Sequence, residues 1–441
     1  MRRSLVLAGA AVTVLSLLTG CSAGDGSGTD SGKTTLEVAA LEGGYGRDMY
    51  TQVIKAYETA HPDIDVQLKI SKSIEDEITP NMKAGRYPDV VVLGQGRKAG
   101  LTETLIKDKA LDDLTPVLKE KVPGESKTVG DKLTEGIVGN LNTNPYGTDK
   151  TYLLPMYYAP TGLFYNKGLL EEKGWKVPAT WDEMFALGDT AKKQGIPLFT
   201  YPTAGYLDSY FFALLADIGG EQFYTDVMTY KKDVWKSANA RKALDLTTRL
   251  LGYAAPTTVG YANEQDFTKN QQLLLDNKAL FMPNGTWIVG EMADAPRAKG
   301  FQWALTPLPA VTAGGKRYIT TSVESVWIPT AAQHKDAAKD FIAYLYSDEA
   351  AKIFAKSNAI QPTEGIASSL TGENAAFYQV YEDPDVSALV GGFASTAPVE
   401  GVDIKATLFD TANSIISGDT TEDKWQSALN EASEKLREAG D

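Results

Sequence analysis

Few side chains in this sequence are suited to metal or redox chemistry. Cys21 is the only cysteine, and the two histidines, His61 and His334, lie far apart in the chain. A zinc site or another soft-metal site needs several such ligands, so the sequence predicts no metal and no cofactor. Acidic residues number 57, but that many carboxylates form pairs by chance, and a glycosidase needs two held on opposite sides of one bond. Their number alone therefore does not indicate an enzyme.

Two short segments combine glycines with polar side chains directly after predicted strands. They are Glu42-Gly43-Gly44-Tyr45 and Gly94-Gln95-Gly96. Ligands of open α/β sheets bind beyond the carboxyl ends of the strands, so Glu42, Tyr45 and Gln95 are candidate ligand-binding residues. Neither segment has the glycine spacing of a phosphate-binding or dinucleotide-binding loop. The sequence therefore predicts plain turns from which one or two side chains face a ligand.

The segments around these turns predict alternating strands and helices. An apolar residue at every second position indicates a strand, apolar residues three or four apart indicate a helix, and a continuous apolar run indicates a strand buried on both faces. By these criteria strands are expected at residues 36–40, 64–70 and 89–93, and helices at 48–60 and up to residue 84. This order predicts an α/β domain. Later in the chain, helices are expected at 244–251, 267–275, 335–345 and 421–438, and a strand at 279–282.

The beginning of the chain is typical of a secretory signal followed by a lipid attachment site. Arg2 and Arg3 precede an apolar run at residues 5–18, which is too short for a membrane-spanning helix. The run ends in Leu18-Thr19-Gly20-Cys21, which resembles the lipobox of bacterial lipoproteins. The resemblance implies removal of residues 1–20 as a signal peptide, diacylglyceryl transfer to Cys21, and retention on the outer face of the cytoplasmic membrane.

The rest of the chain is long and acidic. Residues 21–35 are rich in glycine, serine and threonine and predict a flexible linker. About 405 residues follow, enough for two domains. The net charge of −14 argues against nucleic acid as a partner and against adsorption to anionic lipids. Contact with the membrane is therefore expected through the lipid anchor only, and the protein is expected to be a monomer.

Three segments, taken in order, resemble the carbohydrate-binding lipoproteins of ABC importers. The first runs from Leu153-Leu154-Pro155-Met156-Tyr157-Tyr158 to Trp181-Asp182-Glu183, the second is Asn284-Gly285-Thr286-Trp287, and the third joins Lys339-Asp340-Phe341-Ile342 to Ser347-Asp348-Glu349-Ala350. Each segment is a weak signal alone, but their order is specific. The similarity extends to the maltose-binding-protein-like superfamily.

This resemblance implies an α/β fold of two lobes joined by crossing strands, with a ligand cleft between them. The first lobe is expected to hold residues 34–158 and 325–388, and the second 162–320 and 389–441. Hinges are expected near 158–161 and 318–324. The resemblance further implies that the protein captures a sugar without being an enzyme, and that the permease subunits of an ABC importer are its partners.

The resemblance also implies which side chains contact the sugar. Sugar rings bind flat apolar faces through their C–H side and polar groups through their hydroxyls, and tyrosine and tryptophan offer both. Trp287 is expected to stack on the ligand, Tyr206 and Asp208 to lie on the second lobe, and Glu324 and Tyr157 to lie on the crossing strands. Structural roles compete: Trp287 could be a core residue, Asp208 a helix cap, and Glu324 a hinge carboxylate paired with a lysine or arginine.

The sugar class follows from a further similarity. Residues 175–183 and 195–202 are similar to binding proteins for N-acetylglucosamine and chitobiose, which favours a mono- or oligosaccharide containing N-acetylhexosamine. A neutral oligosaccharide without an amino sugar is the alternative. A lipid-anchored secreted glycoside hydrolase is the alternative from another class of protein.

Overall fold

The structure, a computed structural model, describes residues 32–440 except 98, 135–136, 141, 395 and 397–398. Cys21 and the predicted signal peptide therefore lie outside the described residues. The strands are β1 (Thr34–Leu41), β2 (Ile64–Ser71), β3 (Val90–Val92), β4 (Leu154–Asn166), β5 (Phe281–Gly285), β6 (Trp303–Thr306), β7 (Arg317–Trp327) and β8 (Val386–Val390). They form one mixed sheet in the order β2-β1-β3-β7-β4-β5, in which β6 also pairs with β4 and β8 with β7.

Helices pack around this sheet. The described α-helices are α1 (Asp48–Ala60), α2 (Ile74–Lys83), α3 (Leu101–Lys107), α4 (Thr115–Lys119), α5 (Val129–Lys132), α6 (Lys167–Lys173), α7 (Trp181–Lys192), α8 (Asp208–Met228), α9 (Ala238–Leu251), α10 (Thr258–Tyr261), α11 (Phe267–Leu275), α12 (Ile288–Glu291), α13 (Lys335–Leu345), α14 (Asp348–Lys356), α15 (Ile366–Ser369), α16 (Gly372–Tyr378), α17 (Thr411–Ser417) and α18 (Glu422–Gly440). Within the described part of the chain, no helix is both long enough and apolar enough to cross a membrane.

Local chemistry explains where several helices begin. Thr180, Ser237 and Ser347 each accept a hydrogen bond from the backbone N–H three residues further on, at the starts of α7, α9 and α14. Such caps satisfy backbone donors that a first helical turn leaves without a partner. In α8, Gly220 takes a φ of 77° and interrupts the helical backbone, a conformation that glycine adopts without a steric penalty.

The α/β class and the β-α-β-α-β order predicted for the start of the chain are confirmed. Strands β2 and β3 both run parallel to β1, so the turns after β1 and β3 lie at the same edge of the sheet. The helix expected at 48–60 coincides with α1, and the one expected at 335–345 coincides with α13. Amphipathic periodicity located these helices because one face of each is buried in the same apolar core.

Two long antiparallel strands connect the two parts of the molecule. β4 and β7 pair from Leu154–Val326 to Thr161–Thr320. One end of β7 pairs with β3 of the first part, and the other end of β4 pairs with β5 and β6 of the second part. These are the crossing strands expected of a two-lobed fold.

Separate apolar cores lie on the two sides of the crossing strands. Leu36 of β1 and Phe341 of α13 belong to one core, and Tyr210 of α8 and Phe281 of β5 belong to another. Burial of such side chains, at about 25 cal/mol per Å² of apolar surface, stabilises each core independently. The crossing strands thus lie between two apolar cores.

A further apolar cluster bears on which lobe contains residues 366–388. Phe377 and Tyr378 of α16 pack with Phe164 of β4 and Met282 of β5, and the Phe164 and Phe377 ring centroids are 5.4 Å apart. Strand β8 in turn pairs with the first residues of β7, from Arg317 onward. The division into lobes stays a proposal, and this packing favours assigning residues 366–388 to the second lobe, whereas the sequence analysis placed them in the first.

Candidate functional site

A cavity of about 210 Å³ opens beside the crossing strands. Residues from the turn after β1, from β4 and β7, and from the segment after β5 contribute to its walls. The lining residues are Leu41, Gly43, Gly44, Tyr45, Arg97, Tyr157, Tyr158, Ala159, Trp287, Glu291, Ser322 and Glu324. Four of the eight predicted ligand-binding residues are among them: Tyr45, Tyr157, Trp287 and Glu324. Because these four are far apart in the sequence, the fold itself brings them together.

Glu324 lies on β7, beside Tyr157 of β4. Its carboxyl group accepts a hydrogen bond from the backbone N–H of Gly94, in the turn after β3. Burial raises the pKa of Glu324 to about 7, against the opposing effects of the Gly94 hydrogen bond and of Arg97. The expected competing role, a hinge carboxylate in an ion pair, is not the observed geometry, since Arg97 forms its ion pair with Glu75 at 2.7 Å.

Tyrosines form the wall between the two crossing strands and α1. The Tyr45 and Tyr157 rings meet edge to face with centroids 5.1 Å apart, and the hydroxyl of Tyr157 lies 3.0 Å from that of Tyr50. The hydroxyl of Tyr45 is buried beside the hydroxyl of Thr286, which interacts with it by hydrogen bonding. A polar ligand that bonds to this pair would offset the cost of burying it.

Trp287 owes its position to the residues just before it. A Cβ atom at Gly285 would overlap the Trp287 ring, and a Cβ atom at Gly44 would lie 3.0 Å from the Trp287 Cβ. Glycine is therefore required at 285 for the indole to lie over the backbone.

Strand β5 differs from the strand expected at 279–282, because it continues through Asn284 and Gly285. The side-chain oxygen Oδ1 of Asn284 accepts a hydrogen bond from the Gly285 N–H, so a polar residue is tolerated inside the strand.

Tyr206 and Asp208 lie next to this cavity without lining it. The Tyr206 ring meets the Trp287 ring at 6.3 Å and stacks on Phe267 at 6.5 Å. Asp208 is the first residue of α8, and its carboxyl group interacts by hydrogen bonding with the backbone N–H of Ser209. Although Asp208 keeps access to solvent, the surrounding protein desolvates its carboxyl group and raises the pKa to about 6, while Lys405 opposes that shift.

Two predicted residues on the first lobe have protein partners. The side-chain amide of Gln95 donates a 2.8 Å hydrogen bond to the carbonyl oxygen of Asn142. Glu42 accepts from Arg47 at 3.3 Å. Both lie beside the cavity but are absent from its lining. A contact with ligand therefore stays a prediction for these two side chains, as it does for the other six candidates.

The cavity also contains residues that sequence reasoning missed. Glu291 lies one helical turn after Trp287, and an i, i+4 spacing from a predicted stacking residue was a usable signal for it. Arg97 follows the predicted turn at Gly94–Gly96 by a single residue. Tyr158 adjoins the predicted Tyr157, and its ring stacks on Tyr381 at 5.4 Å. No local pattern distinguished Arg97 from other surface charges or Tyr158 from other strand aromatics.

A second, larger depression differs from this cavity in its chemistry. It measures about 330 Å³ and is lined by Lys236, Gln426, Ser427 and Asn430. None of these side chains offers a flat apolar face. The smaller cavity combines aromatic faces with carboxyl and hydroxyl groups, the set of groups that binds a polyhydroxylated ring.

This chain matches a known protein family over most of its length. A family described as bacterial extracellular solute-binding protein matches residues 43–352, about two thirds of the chain. The diacetylchitobiose-binding protein NgcE of Streptomyces coelicolor is 25% identical over 92% of this chain and 85% of its own length. The melibiose/raffinose/stachyose-binding protein MelE of Bacillus subtilis is 25% identical over 85% of this chain and 84% of its own.

Solved structures show the same fold. A binding protein MsmE from Bacillus subtilis in an open conformation superposes with a TM-score of 0.70, at 18% identity, over 93% of this chain and 99% of its own. A chitin oligosaccharide binding protein superposes with a TM-score of 0.67, at 19% identity, over 90% of this chain and 99% of its own. The two-lobed architecture expected from the sequence is thereby confirmed.

Proposed function

This chain belongs to the bacterial extracellular solute-binding proteins, a family of substrate-binding proteins rather than enzymes, and we propose that it captures a sugar for an ABC importer in the cavity beside the crossing strands. The observation that carries the proposal is the convergence of Trp287, Tyr45, Tyr157 and Glu324 on one cavity. Aromatic faces bind the C–H surface of a sugar ring, and a carboxyl group accepts hydrogen bonds from its hydroxyls.

The favoured ligand is a mono- or oligosaccharide that contains N-acetylhexosamine. Support comes from the similarity of residues 175–183 and 195–202 to N-acetylglucosamine- and chitobiose-binding proteins, and from the relative that binds diacetylchitobiose. A neutral oligosaccharide without an amino sugar is the second candidate, because another relative of equal identity binds melibiose, raffinose and stachyose.

Capture operates by closure of the two lobes around hinges at residues 158–161 and 318–324. The cavity takes its walls from both sides of the crossing strands, since Tyr45 and Arg97 precede them and Trp287 and Glu291 follow β5. A sugar that touches both sides binds the closed form better than the open form and shifts the population toward it. The permease subunits can then distinguish loaded from empty protein by shape.

The protein acts at the outer face of the cytoplasmic membrane, anchored through lipid on Cys21. The lipobox-like residues 18–21 and the apolar run before them support this proposal. Two acyl chains anchor far more firmly than one, at about 0.8 kcal/mol per buried CH₂ group. Residues 21–35 then act as the tether of a monomeric binding protein.

A glycan panel tests the proposed function. Protein comprising residues 32–441 is incubated with labelled amino-sugar and neutral oligosaccharides, then separated from unbound label. Retention of an intact glycan is the expected result. Release of shortened glycans would instead indicate a hydrolase and would contradict the proposal.

A further inference from the structure

We propose that the cavity binds a hexosamine ring whose amino group is free and protonated, and that Glu291 and Glu324 recognise this ammonium group. The proposal rests on the sugar-binding function above, and it replaces the favoured acetamide on the ring inside the cavity by a free amine. It concerns the substituent on C2 of the ring inside the cavity, which the similarity to N-acetylglucosamine- and chitobiose-binding proteins does not fix.

Glu291 is held in place by a buried amide. Gln271 of α11 is fully buried, and its side-chain N–H donates a 2.8 Å hydrogen bond to Oε2 of Glu291. No described residue donates to the other carboxylate oxygen of Glu291, which belongs to the cavity wall. Gln271 is therefore a positioning residue that leaves one oxygen of Glu291 available to a ligand.

Glu324 is held in the same way from the opposite side. The Gly94 N–H donates to its Oε1, and no described residue donates to its Oε2. The two carboxyl groups also act on one common point, because Glu324 and Glu291 both raise the pKa of the Tyr45 hydroxyl, in addition to the larger effect of burial. Two fixed carboxyl groups thus line the same small cavity, together with Tyr45.

The described cationic side chains near the cavity already interact with carboxyl groups of the protein. Arg97 is the one cationic residue in the described lining, and its guanidinium is paired with the buried Glu75 at 2.7 Å. Lys72 acts on Glu291 from outside the lining, and Lys405 acts on Asp208 beyond it. Among the described residues, the lining therefore holds two carboxyl groups and one cation, Arg97, which is ion-paired with Glu75.

A ligand ammonium group fits this arrangement better than an acetamide or a hydroxyl group. Hydrogen bonds between ions are about twice as strong as those between neutral groups. A buried carboxylate without a counter-ion is costly, and a cation removes that cost. An anionic sugar would meet like charge on both sides, which selects against it.

Three β-1,4 disaccharides that differ at C2 provide the test. Cellobiose carries hydroxyls, diacetylchitobiose carries acetamides, and fully deacetylated chitobiose carries amines. Calorimetric titration at pH 7 should show the deacetylated sugar binding about tenfold more tightly than either of the others. Glu291→Gln and Glu324→Gln should each lower the affinity for the deacetylated sugar more than the affinity for cellobiose, so the preference shrinks.

The control and the contrary outcomes separate the two proposals. Glu171→Gln removes an exposed carboxylate that pairs with Lys167 on α6, far from the cavity lining, and should leave all three affinities unchanged. If diacetylchitobiose binds and the deacetylated sugar binds no better, the inference is overturned while the proposed function stands. Equal losses for all three sugars in both cavity variants overturn it as well. If none of the three sugars binds, the proposed amino-sugar function itself fails.

Discussion

The ammonium group of Lys405 donates a 2.8 Å hydrogen bond to the carbonyl oxygen of Gly96. Gly96 follows β3, and Lys405 precedes α17 by a few residues, so 309 positions of sequence separate the two partners. In the proposed division, Gly96 belongs to the first lobe and Lys405 to the second. The contact therefore spans the cleft and must break if the lobes open.

Removal of this contact should shift the ligand-free protein toward an open form. Lys405→Ala loses one charge-assisted hydrogen bond across the cleft, and a smaller closed population lowers the apparent sugar affinity in proportion. Small-angle scattering should show a larger radius of gyration than for the wild type without sugar, and equal radii with saturating sugar. Identical curves without sugar would contradict a role for Lys405 in closure.

The backbone at Gly285 should be as important for binding as the indole that it supports. Gly285→Ala places a methyl group where the Trp287 ring lies, so the ring must move away from the cavity. We expect loss of most sugar affinity. Gly260→Ala is the matched control, because a Cβ atom at that position of α10 meets nothing within 4 Å. Normal affinity in Gly285→Ala would show that Trp287 is not positioned by this contact.

Glu324 should make the protein less stable as the pH rises. Burial raises its pKa from 4.5 to about 7, so the folded state binds the proton more tightly than the unfolded chain does. The resulting stabilisation is complete below pH 4.5 and is lost as the pH rises through 7. Glu324→Gln keeps an acceptor for the Gly94 N–H but cannot ionise. It should raise the free energy of unfolding above that of the wild type at pH 8 by about 1–3 kcal/mol.

Thermal unfolding at several pH values checks this. The advantage of Glu324→Gln should shrink steadily between pH 8 and pH 4. A variant that is less stable than the wild type at pH 8 would mean that the ionised carboxylate is favourably paired in the folded protein.

Lipid anchoring has its own test in cells. Cys21→Ala removes the thiol to which the diacylglyceryl group would be attached, and should move the protein from the membrane fraction to the medium. Cys21→Ser, which keeps a similar size, should behave alike. Unchanged membrane retention in both variants would exclude lipidation at Cys21.

Sequence periodicity predicted helices well where one face is buried in an apolar core. The helix at residues 335–345 was located because Ala338, Phe341, Ile342 and Leu345 recur on one face, and all four are buried in α13. Periodicity failed at β5, where Asn284 and Gly285 lie in the strand. The reason is a local hydrogen bond and the close approach of Trp287, neither of which produces an apolar pattern.

The site was harder to predict from the sequence, because it is formed by contacts between distant segments. The Glu324 carboxyl group meets a backbone N–H 230 residues earlier in the chain, and Glu291 is oriented by Gln271 from another helix. A single sequence contains no signal for such pairings. Family resemblance brought Trp287 and Glu324 into consideration, but it offered no reason to consider Glu291 or Arg97.

Calorimetric titration of residues 32–441 with diacetylchitobiose, on the wild type and on Trp287→Ala, tests the central claim most directly. The wild type should bind one sugar per chain and return it intact. Loss of the stacking surface in Trp287→Ala should weaken binding by about 2–3 kcal/mol with little change in melting temperature, because the ring lines a cavity rather than filling a core. Unchanged affinity together with a lowered melting temperature would show that Trp287 is a core residue and that the sugar site lies elsewhere.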